Sequence, residues 1–184
     1  MRAIFLDRDG VINKYPGDRD YVKSWGEFEF LPGVKSALKK LCEKGFAVYV
    51  ISNQAGVSKG IYSQGTLDLI TVNMLEELDK EGIEISGVYY CTHRSQDNCS
   101  CRKPKTGMIE QAVKDALKKG LNIEISKSFF VGDTIRDIQA GKTAGLKTIL
   151  VFSGKEQPQN KASWEALPDF TASDLTEAAQ TIIK

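Results

Sequence analysis

The sequence is short of charge imbalance, of long apolar runs and of cysteine outside one cluster, and each shortage removes a class of function. Its 25 basic and 24 acidic side chains nearly cancel, to a formal charge of +1. No basic stripe offers itself to a phosphate backbone, and no acidic tail marks disorder, so nucleic acid is not an expected partner. No apolar run approaches bilayer-spanning length. The opening MRAIFLDRDG sets four apolar residues before its charges, too few for a signal-peptide core. A cytoplasmic protein with no membrane partner is the resulting expectation. Thiols stay reduced there, so clustered cysteines point to metal more than to disulfides. Internal repeats and low-complexity tracts are missing as well, and no apolar stripe argues for more than a monomer. At 184 residues the chain can bury its own core, and residues 1–184 are read as one domain.

What is present is an alternation of short β-rich runs with helical periodicity. Ala3 to Leu6, Phe46 to Ile51, Val88 to Tyr90, Ser128 to Val131 and Thr148 to Phe152 read as buried strands. Between them, Val34, Ala37, Leu38 and Leu41 fall on one helical stripe. Leu67, Ile70, Met74, Leu75 and Leu78 form a second, and Ile109, Ala112, Val113, Ala116 and Leu117 a third. A fourth helix is expected after Thr134, and a last one carries Leu175, Ala178, Ala179 and Ile182, with Ser173 as its N-cap. Strand and helix in alternation predict an α/β fold, a doubly wound, Rossmann-like, mostly parallel sheet. Residues 153 to 170 read as a polar loop tying back the last helix. Residues 12 to 30 form a long insert after the first strand, and loops of that size are usually functional.

Ligands of such sheets bind beyond the carboxyl ends of the strands, so the residues just past each strand matter most. Asp7-Arg8-Asp9-Gly10 comes after the first, and Ser52-Asn53-Gln54-Ala55-Gly56 after the second. The third leads into Cys91-Thr92-His93 and on to Cys99-Ser100-Cys101-Arg102-Lys103. The fourth leads into Gly132-Asp133, with Asp137 four residues on. Singly, each is as consistent with an ordinary turn as with a site. Jointly they bring carboxylates, a hydroxyl and a lysine to one edge. The only histidine joins three cysteines between residues 91 and 101, offering the four donors that a closed tetrahedral zinc site takes. The spacing is not that of a standard zinc finger, which leaves a loop of reduced thiols as the other reading. Gly141-Lys142-Thr143 has the ending of a P-loop, but Arg136 stands where the first glycine belongs, so a nucleoside-triphosphatase is excluded.

The motifs FLDRDGVIN, FLPGV, SNQAGVSKG, YYCTH, CSCRKPKTGM and VGDTIRDIQAGKTAG, in this order over nearly the whole chain, resemble the haloacid dehalogenase (HAD) superfamily. More narrowly, they resemble its branch of D-glycero-D-manno-heptose 1,7-bisphosphate 7-phosphatases and histidinol-phosphate phosphatases. The resemblance implies a phosphatase that works through an aspartyl-phosphate. Asp7 is the implied nucleophile and Asp9 the acid and base, its pKa expected to be raised by nearby negative charge. Ser52 and Lys103 are implied as phosphoryl-stabilising groups. Mg²⁺ is implied on the Asp7 carboxylate, the Asp9 backbone carbonyl and Asp133, with Asp137 in support. Structural Zn²⁺ is implied on Cys91, His93, Cys99 and Cys101, closing a loop without apolar anchors one residue before Arg102 and Lys103. Arg102, Asn53 and Gln54 are expected in the substrate cleft. No segment is long enough for a cap domain. The expected walls are therefore the insert around Asp20 and Tyr21, the Gly56 to Tyr62 loop and the zinc loop.

The expected partner is a small phosphorylated sugar, foremost D-glycero-D-manno-heptose 1,7-bisphosphate at its 7-phosphate, which implies a place in bacterial heptose nucleotide and lipopolysaccharide synthesis. Histidinol-phosphate is the alternative substrate. A zinc-stabilised binding module without catalysis is the alternative of another class, disfavoured because every expected catalytic residue is present. Two departures from the relatives, a compact Cys91–Cys99 loop and Thr134 where they often carry lysine, bear on the outer pocket more than on the chemistry, while Val11, where the wider superfamily commonly carries threonine, is also found in this branch.

Overall fold

The apolar runs become strands because neither of their faces meets water. In β1 (Arg2–Leu6) the four residues Ala3 to Leu6 are wholly buried. The computed structural model describes all residues, 1–184. Five further strands complete the sheet: β2 (Phe46–Asn53), β3 (Gly87–Cys91), β4 (Phe129–Gly132), β5 (Lys147–Val151) and β6 (Phe170–Ala172). All pair in parallel, in the order β3-β2-β1-β4-β5-β6. The chain winds outward from β1 to β3, then returns to β4 and winds the other way. Its topological switch point therefore lies between β1 and β4, where α/β sheets open a crevice for ligands.

Side chains alternate across the sheet with period two. Ile4, Leu6, Val48, Val50 and Val131 face a core closed by α1 (Val34–Glu43), α2 (Gln64–Asp79) and α5 (Leu175–Ile183). Ala3, Phe5, Ala47, Ile51 and Phe130 face a smaller core under α3 (Gly107–Lys118) and α4 (Ile135–Thr143). The doubly wound α/β expectation holds, and the sheet is parallel throughout. No helix is long and apolar enough to cross a membrane.

Three local expectations need correction. The loop predicted over 153 to 170 ends in a sixth strand, β6, whose Phe170 is exposed. The last helix is capped by Asp174, which accepts from the Glu177 amide at 3.0 Å, and not by Ser173. Leu117 leaves the third helical stripe and stands 63% exposed, because α3 turns that face to solvent. The insert is also better anchored than its pattern suggests. Val22 and Phe28 are buried, and Phe28 stacks on Trp25 while Phe30 meets it edge-on.

These packing differences set expected costs. Leu38→Ala, at a fully buried position, should lower the unfolding free energy by about 2–5 kcal/mol. Leu117→Ala should stay within about 0.5 kcal/mol of the parent. Urea unfolding monitored by circular dichroism reads both.

Candidate active site

The carboxyl ends of β1 and β4 bring Asp7 and Asp133 to the two sides of the switch point. The Asp7 amide donates to Val131 O at 3.0 Å, which ties the first strand exit to the fourth. Gly10 then turns the chain at φ +83°, where a side chain would be strained and would run into the Asp133 carboxylate. Asp7, Asp133 and Asp137 each present an oxygen, and these lie within 4.8 Å of one another. Asp137 sits in the first turn of α4, where its Oδ2 accepts from the Thr134 amide (3.0 Å) and hydroxyl (2.7 Å). Thr134 thus serves as the helix cap that aims Asp137.

Lys103 enters this acidic cluster from the segment beyond β3 and is itself buried. Its Nζ lies 2.6 Å from Asp137 Oδ1 and 3.1 Å from Asp7 Oδ1, and donates to Ile51 O at 2.7 Å. Asn53 holds the lysine backbone from both sides. Its Oδ1 accepts from Lys103 N at 3.1 Å, and its Nδ2 donates to Lys103 O at 3.2 Å. Burial alone would lower the Lys103 pKa, but Asp137 and Asp7 outweigh it and hold the ammonium above its ordinary range. Burial raises Asp7 to about 6, with Asp137 and Asp9 adding to it while Lys103 and a hydrogen bond from Ser52 oppose. Asp133 is pushed well up by burial and then by Asp7 and Asp137.

Three carboxylates against one ammonium carry, when all are ionised, a formal excess of two negative charges, and the raised pKa values of Asp7 and Asp133 record the repulsion this brings. Asp133 Oδ1 is buried and has no hydrogen-bond partner. An excess of this size, with an orphaned buried carboxylate oxygen, fits a hard divalent cation such as Mg²⁺.

Asp9 corrects an expectation. Its Oδ1 accepts from Arg8 (2.7 and 3.2 Å) and from Asn13 Nδ2 (2.9 Å), and its Oδ2 from Gln54 Nε2 (2.8 Å). Burial would raise its pKa, but the Arg8 guanidinium and these hydrogen bonds outweigh that and hold it below the usual carboxylate range. Negative neighbours do not dominate here, because a fully buried arginine stands between Asp9 and the core. Gln54 is also displaced from its expected place. It is buried and does not line the cleft, and its amide instead spans Asp9 Oδ2 and Ser52 Oγ (3.1 Å).

The cleft above these groups has a volume of about 570 Å³ and is lined mostly by polar side chains. Asp20, Tyr21, Ser52, Asn53 and Arg102 line it as expected. The Gly56 to Tyr62 loop does not, and the zinc loop contributes only through Arg102 to Pro104 at its exit. The opposite wall is made by Arg136 and by Lys155, Glu156, Trp164 and Glu165, from the segment whose sequence reads as a mere tether. Trp164 is fixed there by stacking on Phe152 and by donating Nε1 to Glu156 at 3.1 Å. Sequence pattern gives no sign of Asn13, Arg136 or Lys155 as site residues. Arg8 has one sign only, its position between two aspartates.

Some distance along the same edge, Cys91, His93, Cys99 and Cys101 converge. Their ligand atoms lie within 4.8 Å of one another, with Cys91 Sγ 3.0 Å from Cys101 Sγ and 3.6 Å from Cys99 Sγ. All four cysteines of the chain are free thiols. Separations of this order and soft sulfur and imidazole donors fit a four-ligand Zn²⁺ site. No residue from Thr92 to Ser100 is buried, so the loop has no apolar anchor, as expected. Arg102 Nη1 donates back to His93 O at 3.1 Å, which couples the cleft arginine to the cluster.

Comparison with known proteins agrees with this geometry. Residues 100–178 match the HAD-hydrolase-like family model. The chain is 41% identical over 162 residues to a D-glycero-β-D-manno-heptose-1,7-bisphosphate 7-phosphatase of Haemophilus ducreyi, covering 84% of this chain and 85% of that one. Its identity to the enzyme of the same name from Yersinia pestis is 35% over 188 residues, covering 98% and 94%. A crystal structure of the D,D-heptose 1,7-bisphosphate phosphatase from B. bronchiseptica, complexed with magnesium and phosphate, superposes with a TM-score of 0.85 at 31% identity, covering 100% of this chain and 98% of that one. The chain therefore belongs to the HAD-like hydrolases, within their branch of D-glycero-β-D-manno-heptose-1,7-bisphosphate 7-phosphatases, and is a phosphoric monoester hydrolase.

Proposed function

We propose that the protein hydrolyses a small phosphorylated sugar through an aspartyl-phosphate on Asp7, with D-glycero-D-manno-heptose 1,7-bisphosphate, at its 7-phosphate, as the foremost substrate. The observation that carries this reading is the convergence of Asp7, Asp133 and Asp137 on Lys103 at the sheet's switch point. An Asp7 carboxylate oxygen attacks phosphorus and the ester P–O bond breaks. Asp9 gives its proton to the departing sugar oxygen, then takes one from the water that attacks the phosphoryl-aspartate, and inorganic phosphate leaves. Because Asp9 is held ionised by Arg8, its proton is taken up as the anionic substrate arrives beside it and raises its pKa.

Ser52 and Lys103 place a hydroxyl and a positive charge beside Asp7, where charge develops on the phosphoryl oxygens. Mg²⁺, held by the Asp7 carboxylate, the Asp9 carbonyl and Asp133, would neutralise charge on the transferring group. Zn²⁺ on Cys91, His93, Cys99 and Cys101 would brace the segment that delivers Arg102 and Lys103, with no coordination position left for substrate. The heptose assignment is supported by the names of the relatives and by a cleft that sets Arg19, Arg102, Arg136 and Lys155 around an anionic floor. Such a rim suits a substrate with charge beyond the reacting phosphate.

Three outcomes are expected. Phosphate release from the heptose bisphosphate should exceed that from histidinol-phosphate, other sugar phosphates and 3′-phosphorylated DNA, and no release from any of them would end the enzyme reading. Asp7→Asn should lower kcat by more than about 10³-fold while circular dichroism still reports a folded protein. Protein stripped by a chelator should stay well below full activity when Mg²⁺ alone is restored and recover when Zn²⁺ is restored too. Full recovery with Mg²⁺ alone would remove the bracing role.

A further inference from the structure

Gln54 is the only group that reaches Asp9 Oδ2, the carboxylate oxygen Arg8 and Asn13 leave free. Gln54 meets this oxygen with its amide nitrogen, at 2.8 Å, which turns Gln54 Oε1 the other way. There Oε1 accepts a 2.6 Å hydrogen bond from the hydroxyl of Tyr62. Tyr62 is buried, and burial pushes its hydroxyl well above the ordinary tyrosine range, so it remains a donor. Its ring lies directly on Gly56, where any side chain would collide with it. The backbone of Gln54 is pinned as well, its amide donating to Cys91 O at 2.8 Å. On its outer side the ring meets Tyr21 edge-on, with centroids 6.0 Å apart. Tyr21 lines the cleft, whereas Tyr62 and Gln54 do not.

We propose that Tyr62 is a positioning residue for the phosphatase reaction, fixing the Gln54 amide so that its nitrogen aims Asp9 Oδ2 at the leaving oxygen. The proposal deepens the reading above and rests on Asp9 being the general acid. Arg8 and Asn13 fix one oxygen of Asp9 against the protein interior. The Gln54–Tyr62 pair fixes rotation about that point, which decides where the other oxygen faces. Without the tyrosine hydroxyl the amide can turn, present its oxygen to Asp9 and drive the carboxylate away.

Leaving-group chemistry tests this directly. A sugar alkoxide needs a proton to depart, whereas 4-nitrophenolate departs without one. The values of kcat/KM, which report only the steps up to formation of the aspartyl-phosphate, are measured for the best sugar phosphate of the panel and for 4-nitrophenyl phosphate. The parent, Asp9→Asn, Tyr62→Phe and Gln54→Met are compared. General acid catalysis contributes roughly 10²–10⁴-fold, so Asp9→Asn should lose that much on the sugar phosphate and far less on the aryl ester. Tyr62→Phe, which keeps the ring on Gly56, should lose about 10-fold on the sugar phosphate and under about 2-fold on the aryl ester, part of the range open to Asp9. Gln54→Met should show the same imbalance, and the double variant should lose little more than either alone, as two links of one chain do. Equal losses on both substrates, or none, in Tyr62→Phe and Gln54→Met would overturn the proposal while leaving Asp9 as the acid. The absence of any imbalance in Asp9→Asn would instead remove the acid role itself.

Discussion

A single buried ammonium holds the site together. Lys103 Nζ sits between Asp7 and Asp137 with its third contact on the β2 backbone, and the side chain is buried. Removing one partner of a buried pair leaves an uncompensated charge, at a cost of roughly 3–5 kcal/mol. Every element that places these three groups is therefore under constraint. Asn53 must clasp the Lys103 backbone from the end of β2, and Thr134 must cap α4 so that Asp137 points inward. The β1 exit must turn through Gly10, and the segment after β3 must return to the sheet edge rather than wander. The excess negative charge that remains makes the cluster suitable for a divalent cation.

Two donor sets with different chemistry divide the work. The carboxylates at the switch point offer hard oxygen donors from the strand ends and the first turn of α4. The thiols and imidazole offer soft donors, Cys91 from the end of β3 and the others from a loop with no buried side chain between Cys91 and Cys101. Hydrophobic burial secures the first set through the sheet it grows from. It secures the second only through Cys91, which is buried in the core beneath α3, and Arg102 hangs on the cluster through His93 O. The third part is the frame around Asp9, in which Arg8, Asn13 and Gln54 occupy both carboxylate oxygens.

Much of this was legible in the sequence for a physical reason. Parallel strands buried on both faces read as continuous apolar runs, and their ends could be scanned for reactive side chains. Asp7, Ser52, Lys103 and Asp133 stand out because each lies within two residues of the end of such a run or of a cysteine pair. β6 escaped because Phe170–Ala172 is three residues long and half exposed, with no periodicity to show. The wall carrying Lys155 and Trp164 escaped for a related cause, since its order comes from stacking on Phe152 and a bond to Glu156 rather than from pattern. The lowered pKa of Asp9 was illegible because nothing in the sequence shows that Arg8 folds back onto it, or that Asn13 and Gln54 are brought to it from the insert and the end of the second strand. Gln54 itself was misplaced for the same reason, as a polar residue in a turn gives no sign of facing inward.

The proposed chemistry turns on Asp7 carrying the phosphoryl group. Rapid mixing of excess protein with a sugar-phosphate substrate, acid quench within a turnover and peptide mass spectrometry would locate it. A single phosphorylated aspartate is expected, at position 7, and it should disappear as inorganic phosphate forms. Phosphate released at full rate with no modified peptide at any time, or with the label on another residue, would contradict it.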